Sequence, residues 1–219
     1  MRFRDRREAG RRLAARLGAY ANRQDVIVLA LTCGGVPVAY EVAEAIGAPL
    51  DVFLVRRLVA PGSEDLAMGA ITTGGVSVLN ENVVRYLDIS DETLEEVTHR
   101  ERRESERREK LYRGGRPAPD LFGRTIILVD DGMAAGSTMR DACVAMRAHR
   151  PARVIVAAPV AARAAFELFN GVVDGIVCAR KTVPDPYYIV TLWYDDFFQT
   201  TDEEARNLLE QSKRWGIAS

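Results

Sequence analysis

The chain is poor in the residues that most often carry metal or nucleophilic chemistry. Its 219 residues include three cysteines, Cys33, Cys143 and Cys178, and two histidines, His99 and His149. The odd number, the wide spacing and the lack of any CxxC or Cys/His pattern argue against a disulfide framework and a structural zinc site. Cys33 has no histidine nearby in sequence to act as a base, so a small loop residue is expected there rather than a nucleophile. Long apolar runs are missing too. Val26 to Leu31 and Val154 to Ala162 fall far short of the ~20 residues a spanning helix needs. No apolar stretch of the signal-peptide kind follows Met1, so a cytoplasmic protein without a membrane partner is expected. Nor does charge of one sign dominate. Lys+Arg is 30 against Asp+Glu 31, a formal net charge of -1. A protein held to nucleic acid by bulk charge would be basic, so no DNA partner is expected.

What is present reads as an ordinary globular chain, 47% hydrophobic and 28% charged. The length suits a single domain over 1–219 with a sizeable core. Strand and helix signals alternate. Val26–Leu31, Leu50–Val55, Thr125–Val129, Arg153–Ala158 and Gly175–Cys178 are short apolar runs of the buried-strand kind. Val36–Ile46, Ser137–His149, Ala161–Phe169 and Asp202–Arg214 have helical spacing, the last with Thr201 as its cap. Met68–Thr72 and Val76–Leu79 flank Thr73-Gly74-Gly75 as a hairpin. This order predicts an α/β fold with a mainly parallel central sheet covered by helices on both faces.

Two segments stand out by charge. Arg2, Arg4, Arg6, Arg7, Arg11, Arg12 and Arg16 crowd the N-terminus against only Asp5 and Glu8. A solvated amphipathic helix with Leu13, Leu17 and Tyr20 inward is the leading reading, and an anion-facing or subunit-facing patch is the alternative. Ser90 to Tyr112 is dense in acid-first pairs at four-residue spacing, such as Glu104 and Arg108. It predicts a long exposed helix, an insertion at about 90–115 ended by Gly114-Gly115.

The informative stretch is Thr125 to Arg140, TIILVDDGMAAGSTMR. A buried strand delivers two carboxylates, and a loop of small residues then opens a helix. Ligands of open parallel sheets bind beyond the carboxyl ends of strands. A helix start offers unpaired N–H groups and positive dipole, which suits a phosphate. Asp130 and Asp131 offer acceptors for sugar hydroxyls, or oxygen ligands for Mg²⁺. Acceptors beside a phosphate cradle describe a sugar phosphate. The plainer alternative is an acidic pair that only caps the following helix. A receiver-domain reading fails because too little chain follows Asp130 and no second acidic strand end exists in Arg153–Ala158.

This stretch resembles the 5-phosphoribosyl diphosphate (PRPP) loop of the type I phosphoribosyltransferases. Phe3, Asp5, Arg6 and Ala9-Gly10 are similar to the N-terminal helix of one bacterial group within that family. Gly34-Gly35-Val36-Pro37 resembles its pyrophosphate loop, Val55-Arg56-Arg57 through Ala67-Met68-Gly69-Ala70 its mobile loop, and Leu192-Trp193-Tyr194 with Thr201-Asp202-Glu203-Glu204 its C-terminal signature. The resemblance implies a type I phosphoribosyltransferase-like fold with a small hood. It implies that Asp130 and Asp131 hold the ribose hydroxyls and, directly or through water, Mg²⁺. It implies that Gly132, Met133, Ala134, Ala135, Gly136, Ser137 and Thr138 hold the 5′-phosphate. Thr32, Cys33, Gly34, Gly35, Arg56 and Arg57 would line the pyrophosphate, with a strained non-proline cis peptide in the loop. A homodimer is the family habit.

The same resemblance exposes departures. Thr32-Cys33 stands where the group has Pro-Arg, so a cation that could pair with pyrophosphate is missing. Ala135 replaces a hydroxyl donor, and Ala134 stands where purine-type members carry a general-base Asp. No residue is assigned as the catalytic base. The implied function is transfer of a 5-phosphoribosyl group from PRPP to a nitrogenous base or nucleotide acceptor with release of pyrophosphate. The alternative is a PRPP- or nucleotide-binding regulatory module with little or no transfer, since binding survives these losses better than catalysis.

Overall fold

The structure, a computed structural model, describes residues 2–134, 136–182 and 190–215. Five strands, β1 (Val26–Leu31), β2 (Leu50–Phe53), β6 (Thr125–Val129), β7 (Arg153–Ala162) and β8 (Gly175–Thr182), form one parallel sheet in the order β2-β1-β6-β7-β8. Strand β1 is apolar throughout, and β6 and β7 are apolar after their first residues, Thr125 and Arg153, because alternate residues serve opposite faces. Val26, Val28 and Ala30 of β1 pack with Ile127 and Val129 under α1 (Arg6–Ala14), α2 (Thr32–Ile46) and α7 (Asp202–Ser212). Ile27, Leu29 and Leu31 pack with Ile126 and Leu128 under α5 (Ser137–Met146) on the other face.

A second sheet, β3 (Val55–Ala60), β4 (Ser63–Thr72) and β5 (Ser77–Leu79), is antiparallel, in the order β3-β4-β5. The expected strand Leu50–Val55 is therefore interrupted at Leu54, where the chain leaves one sheet for the other. The segment expected as a mobile loop is the β3–β4 hairpin, turned at Pro61-Gly62. Helix α3 (Glu81–Tyr86) follows β5, and the short α6 (Arg163–Glu167) follows β7.

The long charged helix is α4 (Asp91–Arg113), capped as expected by Ser90, whose Oγ accepts the Thr93 amide. It is not exposed throughout. Val97 packs with Leu58, Met68 and Ile71 of the second sheet, and Tyr112 joins the core of the parallel sheet. Arg113, 2% exposed, is fixed by Asp51 and Glu109. Helix α4 thus runs along β3 and β4 and reaches α7.

The N-terminal arginines are mostly spent inside the molecule. Arg7 and Arg11 converge on Glu41 of α2, whose side chain is buried, and Arg12 pairs with Glu8. Gly10 permits this helix pair, since a β-carbon there would lie 2.7 Å from the Val38 carbonyl oxygen. Phe3 pairs with Tyr194 as a lone parallel bridge, so the C-terminal segment is tied to the start of the chain.

Candidate functional site

The strand order reverses between β1 and β6. From β1 the chain steps outward to β2, and it later returns to β6 and steps out the other way to β7 and β8. A parallel sheet opens a crevice at such a point, beyond the carboxyl ends of the two strands. Here those ends lead into Thr32–Gly35 on one side and Asp130–Thr138 on the other, so the fold brings both motifs to one edge.

Thr32–Gly35 is not a loop before a helix at Val36 but the first turn of α2. Gly34 and Gly35 are ordinarily helix breakers, and neither has a positive φ here. Their need is spatial. A β-carbon on Gly34 would lie 2.6 Å from Asp131 Oδ2, and one on Gly35 would lie 2.8 Å from the Val129 carbonyl oxygen. The two glycines let the start of α2 sit against the end of β6. No peptide bond among the described residues is cis, so the expected strained cis peptide is absent there.

The second motif divides. Met133 is committed to the sheet: its amide donates to Val160, its carbonyl accepts from Ala162, and its side chain is buried. Met133 is therefore unsuited to the phosphate-binding role expected of it. Gly132 is packed against Val190, and Ala135 lies outside the described residues. Gly136, with φ +76, turns the chain into α5, so Ser137 and Thr138 begin the helix. The free donors at this end are those of the first turn of α5.

How the helices are capped sets these two starts apart. Among helices of eight residues or more, Asp5, Ser90 and Thr201 cap α1, α4 and α7 with a side-chain oxygen. Helices α2 and α5 have no side-chain cap. Both begin at the crevice, and between them stand Asp130 and Asp131.

The acidic pair is strained electrostatically. Burial, together with the neighbouring Asp131 charge, pushes the Asp130 carboxyl well above the usual carboxylate range. Burial also raises Asp131, against the pull of Arg6. Arg6 Nε donates to Asp131 Oδ2 at 2.8 Å, and both side chains are largely buried. The Tyr194 hydroxyl donates to the Asp131 carbonyl at 2.5 Å. Tyr194 is thus a packing and positioning residue.

A cavity of about 650 Å³ lies along the start of α2, lined by Arg6, Cys33, Gly34, Arg56, Arg108 and the turn Gln199–Asp202 that opens α7. Arg56 is held by Glu101 and Arg108 by Glu104. Arg57 is exposed and does not line this cavity. Cys33 Sγ lies 2.7 Å from the Tyr112 hydroxyl, which donates to Asp202 at 2.6 Å. Burial pushes the Cys33 thiol up, which disfavours the thiolate that a nucleophile needs. Neither histidine lines the cavity.

Arg6, Arg108, Tyr112 and Asp202 were not singled out as site residues by the sequence. For Arg6 the signal was present, in the anion-facing reading of the basic N-terminus.

The family described as "Pribosyltran: Phosphoribosyl transferase domain" matches residues 4–176. The chain belongs to this family, the type I phosphoribosyltransferases. In Mycobacterium tuberculosis H37Rv, "Putative phosphoribosyl transferase Rv0571c" is 40% identical over 212 residues, covering 97% of this chain and 47% of that protein. A counterpart in strain CDC 1551, "Putative phosphoribosyl transferase MT0597", matches equally. The chain spans about half the length of these curated relatives. The crystal structure of TT1426 from Thermus thermophilus superposes with a TM-score of 0.83 at 40% identity, covering 96% of this chain and 99% of that one. The family fold of a parallel sheet flanked by helices is thus established. Among the described residues no helix is long and apolar enough to cross a membrane.

Among the described residues no cluster of three or more His, Cys, Asp or Glu gathers to hold a metal. An all-protein cage is therefore not the fit for Mg²⁺. Two carboxylates beside a free helix start do suit an ion that arrives on phosphates and keeps several waters.

Proposed function

We propose that the crevice between β1 and β6 binds PRPP and that the protein transfers its 5-phosphoribosyl group to a nitrogenous acceptor, releasing pyrophosphate. The observation that carries this reading is the pair of uncapped helix starts, α2 and α5, on either side of Asp130 and Asp131. One substrate with an anion at each end and hydroxyls between matches that order of groups.

The first turn of α5 takes the 5′-phosphate on the amides of Gly136 to Thr138 and on the Ser137 and Thr138 hydroxyls. Asp130 and Asp131 accept from the ribose hydroxyls and, directly or through water, would hold Mg²⁺. That ion, when bound, offsets charge on the diphosphate. The first turn of α2 takes the diphosphate. In the transfer the bond from C1 to the diphosphate oxygen breaks and its electron pair leaves with pyrophosphate. The acceptor nitrogen closes on C1 and releases its proton to solvent. Fixed donors aimed at the departing charge lower this barrier because they need no reorganisation.

The regulatory alternative drew its support from the missing cation at Thr32-Cys33 and the missing hydroxyl at Ala135. Arg6, Arg56 and Arg108 on the adjoining cavity wall weaken the first ground. The test is pyrophosphate release from PRPP with Mg²⁺ across a panel of bases, run beside calorimetric binding of PRPP. Release with any base supports transfer. Binding without release supports the regulatory module, and absence of both overturns the site.

A further inference from the structure

Among the described residues Arg6 is held at two corners of its guanidinium, and the third has no hydrogen bond. Nε donates to Asp131 Oδ2 at 2.8 Å and Nη1 donates to the Phe198 carbonyl at 2.5 Å. The ring of Phe197 lies 3.7 Å from Cζ, close enough for a cation–π contact that fixes the plane. Nη2 makes no hydrogen bond among the described residues. It stands over the first turn of α2, where a β-carbon on Gly34 would be 3.7 Å away. A guanidinium has five N–H donors in a rigid fork, so most of this fork remains available.

We propose that Arg6 is a diphosphate-binding residue of this site, reaching from α1 over the start of α2 to supply the cation that Thr32-Cys33 lacks. The proposal rests on the reading that the crevice takes PRPP. Two other arginines line the same cavity but are differently placed. Arg56 gives both Nε and Nη2 to Glu101 Oε2, at 2.7 and 2.6 Å. Arg108 is bonded to Glu104 and is the most exposed of the three. Arg6 is the least exposed, with a side chain 11% accessible, and it touches the crevice acid itself.

The contact with Asp131 gives Arg6 a second consequence. One rigid group bonds the carboxylate assigned to the ribose and faces the turn assigned to the leaving group. A planar fork already ordered by Asp131, Phe197 and Phe198 loses little freedom when it meets a phosphate. Its attraction strengthens as negative charge collects on the departing pyrophosphate, which is the kind of interaction that raises turnover rather than affinity alone.

The experiment is calorimetry with Mg²⁺, titrating pyrophosphate and ribose 5-phosphate separately into the unmodified protein, Arg6→Gln, Arg6→Lys, and Arg6→Gln combined with Cys33→Arg. Thermal melts establish that each variant is folded. Arg6→Gln is expected to lose pyrophosphate affinity by about ten- to a hundredfold, the range for a charged hydrogen-bond partner, with ribose 5-phosphate binding unchanged or tighter. Arg6→Lys should fall between, keeping charge without the fork. Cys33→Arg should restore much of the loss, because it returns a cation to the same turn. Unchanged pyrophosphate binding in Arg6→Gln, or an equal loss for both ligands that Cys33→Arg does not rescue, overturns the proposal. If neither ligand binds the unmodified protein, the PRPP reading itself fails and the proposal falls with it.

Discussion

Gly34 and Asp131 are packed so closely that a β-carbon on the first would lie 2.6 Å from the carboxylate of the second. That contact welds the start of α2 to the end of β6 and sets the width of the crevice. Replacing Gly34 by Ala must displace Asp131, its ion pair with Arg6, or the helix start. Gly34→Ala is expected to cost about 1–3 kcal/mol of stability, as overpacking does, and to weaken binding of PRPP. Gly18→Ala, with no atom within 4 Å of the new carbon, is the control and should stay within about 0.5 kcal/mol. Urea denaturation and calorimetry on both variants check this.

The acidic pair works against stability. Burial and Asp131 raise the Asp130 carboxyl above its ordinary 3.8, so the folded protein holds that proton to a higher pH than the unfolded chain does. Below 3.8 both states are protonated and nothing is lost. As pH rises through the folded value, the ionised pair destabilises the fold. Asp130→Asn removes that penalty. It should melt higher than the unmodified protein at neutral pH, with the gain shrinking as the pH falls towards 3.8, while PRPP binding weakens. A gain of the same size at both pH values would contradict this.

Much of the parallel sheet was legible because each buried strand is a short run of apolar residues ended by turn chemistry. The position of Asp130 and Asp131 at the crevice was legible because the apolar run Thr125–Val129 ends directly before them. The start of α2 was not, since Gly34, Gly35 and Pro37 are helix breakers by propensity and packing against α1, β1, β6 and α7 overrides them. Strand β3 was hidden because Leu50–Val55 reads as one run across the break at Leu54. Arg6 meets Asp131 across 125 positions, and Cys33, Tyr112 and Asp202 come from three helices. No local pattern encodes such meetings.

The thiols give a separate check on the cavity. Burial raises Cys33 above its ordinary 9.0 and pushes Cys143 up to about 12. Alkylation of the folded protein at neutral pH should therefore be slow at Cys33 and should reach Cys143 only on unfolding. Because Cys33 lines the cavity, pyrophosphate with Mg²⁺ should slow its labelling further. Peptide mapping after timed quenching reads both sites.

Asp131→Ala should weaken PRPP binding far more than Asp91→Ala. Asp131 stands between the two uncapped helix starts, and Asp91 is an exposed residue in the first turn of α4. Loss of a charged acceptor is expected to lower affinity by about 1.5–3 kcal/mol, and loss of the exposed acid by less than about 0.5 kcal/mol. Calorimetry on the two variants side by side checks this, and equal effects would count against the site.

The most direct test of the account is a crystal structure of the protein with PRPP and Mg²⁺. The 5′-phosphate should sit on the first turn of α5 at Gly136 to Thr138. The ribose hydroxyls should meet Asp130 and Asp131, and the diphosphate should lie on the first turn of α2 beneath Arg6. A ligand bound elsewhere, for instance in the separate cavity of about 540 Å³ lined by Asn80, Arg85, Arg140 and Asp141, would contradict it.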